Sequence, residues 1–145
     1  MTPAPKPSKV KKKKRRTIPK LKKDARHWFQ RWIRLSKIQE GVNCCYGCGK
    51  WLTDIKTCDA CHFLKAELYP QAIFDRHNVY IGCKGCNIRD PLLEYRKWLV
   101  VKKGENHVTN LEDKYKVNRG TYKWNREFLE NIINEFKQKC KELES

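Results

Sequence analysis

Three Cys-x-x-Cys pairs crowd into residues 45–86: Cys45/Cys48, Cys58/Cys61 and Cys83/Cys86. One such turn presents two thiolates from a single knuckle, and two knuckles complete a tetrahedral zinc site. Residues 41–90 hold seven of the eight cysteines but too little apolar bulk for an ordinary core. A structural metal is therefore expected to organise this stretch. No signal-peptide apolar run follows the basic start, which favours ligation over a disulfide framework. Pairing 45/48 with 58/61 leaves nine residues between knuckles, and pairing 45/48 with 83/86 leaves 34. The outer pairs have the stronger knuckle character. Gly47 and Gly85 sit inside their turns, and Gly49 and Asn87 follow them. Whether Cys58 and Cys61 join the site stays open on spacing alone.

Charge is the second constraint. Lys plus Arg number 33 against 16 Asp plus Glu, for a net +17. Residues 1–23 contain 11 of those cations, four of the six prolines and no acid, so the other 122 residues carry +6. Such a segment cannot bury a core, and residues 1–20 are expected to be a disordered basic arm. Lys11, Lys12, Lys13, Lys14, Arg15 and Arg16 are its densest run, suited to tracking phosphates by counterion release. A surplus of this size points to nucleic acid before an anionic membrane surface. No run approaches the ~18 apolar residues of a membrane span, and a secreted protein is disfavoured.

Steps of three and four among Leu21, Ala25, Trp28, Phe29, Trp32, Leu35 and Ile38 predict an amphipathic helix to about Glu40, with Trp28 and Trp32 as packing residues. Val79-Tyr80-Ile81 reads as a strand. A second helix follows Pro91 and stops near Gly104, with a short third piece around Val108 and Leu111. From about Thr121 a last helix of ~35 Å is predicted, with an apolar stripe available to a second copy of the chain. Residues 21–145 thus read as one domain, with a zinc-bound centre at 41–90 and a helical part at 91–145.

Within the interval between the outer knuckles lie Asp59, His62, Asp75, His77 and Asn78. Hydrolysis of a phosphodiester needs a hard cation on the phosphate, a base to activate water, and a group that orients the base. Asp59, His62, Asn78 and Asn87 have the chemistry for these parts. Arg76 and Arg89 are candidate phosphate contacts. The succession Cys45-Tyr-Gly-Cys48-Gly49, Asp59-Ala-Cys-His62-Phe63, Pro70-Gln71, Asn78-Val79, Cys83-Lys-Gly-Cys86-Asn87 and Tyr95-Arg96 resembles the ββα-metal (HNH-type) nucleases. More narrowly it resembles the lambdoid phage NinG/Rap recombination proteins, over roughly residues 11–145.

The resemblance implies an α+β fold: a small zinc-stabilised ββα-metal (HNH/treble-clef-like) centre flanked by helices, with a disordered basic tail. It implies a structural Zn²⁺ on Cys45, Cys48, Cys83 and Cys86, and His62 as general base. Asn87 and Asp59 would hold a catalytic Mg²⁺ or Mn²⁺, and Asn78 would orient the His62 loop. The implied activity is cutting of branched DNA, such as Holliday junctions and D-loops, in the cytoplasm of a bacterial host. A homodimer and contact with recombination machinery would accompany it. Two departures stand out. Cys61 occupies the position before the base where many relatives carry an acid, so ligation by Asp59 calls for a bulge or turn. The segment after Asn87 is also short, Ile88-Arg89-Asp90-Pro91. A non-catalytic zinc ribbon and a general HNH nickase are the competing readings.

Overall fold

The computed structural model describes residues 3–5, 15–41, 43–118 and 120–145; Lys11, Lys12, Lys13 and Lys14 lie outside them. The first helix, α1 (Ile18–Gln39), starts where Thr17 caps it, its side-chain oxygen accepting from the Lys20 N–H at 3.3 Å. Residues 18–20 therefore form the first turn of α1 and do not belong to the arm, because the cap and Pro19 nucleate the helix ahead of Leu21. Leu21, Ala25 and Phe29 of the stripe expected from spacing are fully buried, together with Ile33, which that stripe did not include. Trp28 and Trp32 pack partly buried against the core, as read.

The last helix, α5 (Arg126–Glu144), begins five residues later than predicted. Asn125 caps it by accepting from the Phe128 N–H at 3.0 Å, and its 19 residues span about 28 Å. Its stripe of Leu129, Ile133, Phe136 and Cys140 is not offered to a second chain; it is buried, with α1 as its main partner. Leu21 and Ala25 meet Leu129 and Ile133 at one end, and Gln39 bonds the Leu143 carbonyl at the other, so the two helices run in the same direction. Phe136 stands edge-on to Phe29 at 5.0 Å between ring centres and tilted against Trp32 at 5.1 Å.

Against α1 lies a two-stranded antiparallel sheet, β1 (Cys58–His62) and β2 (Val79–Cys83), paired Cys58 to Cys83 and His62 to Val79. The short helix α2 (Lys84–Arg89) follows β2 without a loop, which gives a strand–strand–helix unit in a mixed α+β chain. The helices α3 (Leu92–Lys103) and α4 (Glu105–Lys114) meet at Gly104, whose φ of 96° only glycine adopts readily. Arg96 joins them through Glu112 at 2.9 Å and Glu105 at 3.2 Å. Tyr95 is wholly buried, stacks on Tyr46 at 3.9 Å and donates to the Cys61 carbonyl at 2.7 Å. Tyr95 is thereby committed inside the protein, while Arg96, its side chain 37% exposed, is spent on two carboxylates of α4. No helix among the described residues is long and apolar enough to cross a membrane.

Candidate metal centre and adjoining cleft

Cys83 ends β2, caps α2 and faces the first knuckle at once; its Sγ accepts from the Cys86 N–H at 3.4 Å. This brings Cys45, Cys48, Cys83 and Cys86 together with all four sulfurs within 4.8 Å of one another. The Cys48 and Cys83 sulfurs are 3.8 Å apart, the edge of a tetrahedron with metal–sulfur bonds of about 2.3 Å and far beyond a disulfide bond. The N–H groups of Gly47 (3.4 Å) and Cys83 (3.2 Å) point at Cys45 Sγ, and the Arg89 guanidinium donates to Cys86 Sγ at 2.9 Å. Burial pushes the Cys45 thiol up, but the backbone N–H groups of Cys48, Cys83 and Gly47 together outweigh it and bring it down to about 6. Donors aimed at sulfur favour thiolate, the form that ligates. The four cysteines can therefore hold a metal such as zinc. Gly47 is required here, because a Cβ at that position would lie 2.7 Å from Cys86 Sγ.

Cys58 and Cys61 stand apart from this cluster. Both are fully buried in the core, and burial raises their thiols, that of Cys61 to about 12. The alternative pairing of 45/48 with 58/61 is not the one the fold makes: Cys45 and Cys48 gather with Cys83 and Cys86, and neither Cys58 nor Cys61 belongs to the cluster.

Beside the knuckles opens a cleft of about 670 Å³ lined by Arg26, Gln30 and Arg34 of α1, Asp59 and His62 of β1, Lys65, Glu67, Asn87 and Asp90. His62 lies at the end of β1, only 8% exposed. Its Nε2 is 2.9 Å from the Ile73 carbonyl, which can only accept, so Nε2 carries the proton and Nδ1 is the free lone pair. Burial lowers its proton affinity to about 4, partly countered by the Ile73 carbonyl, so the ring is neutral at pH 7. Asn78, fully buried, ties down the loop after His62. Its Oδ1 accepts from the Leu64 N–H at 2.6 Å, and its Nδ2 donates to the carbonyls of Leu64 (3.1 Å) and Ala72 (3.2 Å). The Asn78 carbonyl accepts from the Phe63 N–H at 2.8 Å.

Across the cleft, Asn87 Nδ2 donates to Asp59 Oδ2 at 3.0 Å, and the Lys84 ammonium lies 3.0 Å from Asp59 Oδ1. β1 pairs continuously through Asp59, so the expected bulge is absent. Lys65 donates to the His62 carbonyl at 2.9 Å and pairs with Asp90, tying the loop to the end of α2. Among the described residues the four cysteines are the one cluster of three or more metal-ligating His, Cys, Asp or Glu side chains. Arg89 is spent on Cys86, and Arg76 lies outside the cleft, in a short turn before β2. Arg16 pairs with Asp24 at 3.0 Å, and Arg15 precedes the helix.

Sequence reasoning missed the α1 wall. Arg26, Gln30 and Arg34 recur every four residues, the spacing that puts them on one helix flank. Arg34 is anchored on the Ile55 carbonyl at 2.8 Å. Arg26 is half-buried, and burial alone lowers its proton affinity; it has no ion pair among the described residues.

The family model described as "Bacteriophage Lambda NinG protein" matches residues 5–145. The chain belongs to the NinG family. The match takes in the cysteine cluster, the cleft and both long helices that frame them, so the NinG resemblance of the motifs extends over the whole domain. No curated protein and no solved structure matches this NinG-family chain.

Proposed function

We propose that the chain is a metal-dependent endodeoxyribonuclease of the HNH type that cuts branched recombination intermediates such as Holliday junctions and D-loops. The observation that carries the reading is the meeting of a neutral, oriented His62 with the Asp59–Asn87 pair in one cleft. A plain zinc ribbon has no use for this arrangement.

The Ile73 carbonyl fixes the tautomer that leaves Nδ1 free to take a proton from water. Asn78 sets the ring's position by bridging the backbone on both sides of the loop. The thiolate cluster clamps the start of α2, and thus Asn87, against β1. Asp59 and Asn87 offer hard oxygen donors, and the Lys84 ammonium now beside Asp59 marks a place where positive charge is favoured. These residues fit Mg²⁺ or Mn²⁺, which when bound polarises the phosphate and stabilises the leaving oxygen. Lys84, exposed at 60% of its side chain, is free to swing aside. Arg26, with no carboxylate partner among the described residues, suits a phosphate oxygen in the cleft. The basic arm adds sequence-independent affinity. Cleaving both strands of a junction symmetrically calls for two centres, which suits a homodimer.

The test is incubation of the purified protein with labelled four-way junction and linear duplex, with Mg²⁺ or Mn²⁺ and without, beside His62→Ala. Expected are metal-dependent cutting of the junction and a loss of at least ~100-fold in the variant. No cutting by wild type under either metal would sink the nuclease reading, and equal cutting of both substrates would sink branch specificity.

A further inference from the structure

The two-stranded sheet has a second edge, and the cleft does not use it. On the β2 side, Lys37 and Glu40 of α1, Arg76 and His77 of the turn before β2, Tyr80 and Lys103 of α3 surround a separate recess of about 150 Å³. Three cations from three segments converge there, and the one carboxylate, Glu40, sits 3.7 Å from Lys37 with more than half of its side chain exposed. Arg76 and Lys103 have no ion pair among the described residues. The Lys37 side chain is only 15% exposed, with its ammonium 5.1 Å from the centre of the Tyr80 ring. Burial lowers its proton affinity, Glu40 opposes this, and Lys103 and Arg76 lower it further. Like charges gathered in a recess with a single carboxylate among them repel one another, and an anion bound between them relieves that repulsion.

The chemistry that fits is a phosphate backbone. The cleft takes its strand residues from β1 and this recess takes Tyr80 from β2, and the two openings share no lining residue. We propose that the recess holds the phosphate backbone of a second DNA arm while the first arm lies in the His62 cleft, which makes the chain a reader of branched structure. The inference rests on the nuclease reading for the first arm.

Arg76→Gln/Lys103→Gln tests it, since both side chains are exposed and neither lines the cleft. Binding to a four-way junction and to a linear duplex of one arm's sequence is measured by anisotropy across a salt series without divalent metal. Unchanged circular dichroism melting checks the fold. The double variant is expected to bind the junction on the order of tenfold more weakly, with its log–log salt slope reduced by about 2, while duplex binding stays within about twofold. Arg26→Gln, in the cleft, should weaken both substrates. The proposal is overturned if the double variant binds the junction as tightly as wild type. It is also overturned if junction and duplex weaken equally, or if wild type holds the junction no better than the duplex. Junction cleavage by wild type is scored separately: its failure removes the nuclease reading and leaves this binding comparison intact.

Discussion

Burial sets the proton affinity of His62, and the sign of the resulting pH dependence follows. The folded ring protonates only near pH 4, whereas an exposed histidine does so near 6.5. Between those values the unfolded chain binds more protons, so stability is complete above about pH 6.5 and declines as pH falls toward 4, by on the order of 3 kcal/mol. Urea denaturation of wild type and His62→Gln from pH 7 to 4.5 should show the steeper decline in wild type. The acid limb of cleavage should likewise lie below pH 6.5. Gly82 offers a second residue-level test. A Cβ there would meet the Tyr46 ring at 2.6 Å, and Tyr46 is pinned by stacking on Tyr95. Gly82→Ala is expected to cost about 1–3 kcal/mol, read as a lowered urea midpoint. Nothing in the sequence marks Gly82, whereas Cys45, Cys48, Cys83 and Cys86 were legible at once. A ligand type at fixed spacing is a local signal, but a close approach between β2 and a distant tyrosine is a tertiary one.

The helices show the same division at the scale of elements. The apolar stripe of α1 was readable because burial repeats with the helical period. Its other flank, which walls the cleft with Arg26, Gln30 and Arg34, reads in sequence as a solvated basic face. Only the position of β1 decides which polar flank lines a site. α5 starts at Arg126 and not near Thr121 because Trp124 extends the apolar pattern into non-helical chain, and Asn125 alone marks the true cap. The loop between β1 and β2 has little regular structure, so its order depends on Asn78. Asn78→Ala leaves the Leu64 N–H and the Leu64 and Ala72 carbonyls without that partner, and should lower stability by about 3 kcal/mol. It should also reduce cleavage while leaving junction binding near wild type, separable by comparing single-turnover rate with anisotropy.

For the whole molecule, the thiolate cluster joins the first knuckle to the β2–α2 junction. Metal analysis should find about one zinc per chain, and a strong chelator or Cys48→Ser should lower the melting temperature markedly, with recovery on adding zinc to the chelated wild type. The arm is a separate matter. Deleting residues 1–14 spares the Thr17 cap and the Arg16–Asp24 pair, so the melting temperature should hold. The salt slope of DNA binding should flatten by up to about 5, one increment for each of the six lysines removed. An unchanged slope would reject phosphate tracking by the arm.

The parallel seating of α1 on α5 has a consequence for how the chain is made. Residues 21–33 leave the ribosome well before α5, so Leu21, Ala25 and Phe29 find Leu129, Ile133 and Phe136 only after about a hundred further residues have been translated. The wall carrying Arg26 therefore has its full backing only once α5 has been made. A chain stopped before α5 keeps all four cysteines of the cluster and still lacks a braced cleft, so the cleft is completed only when α5 has emerged.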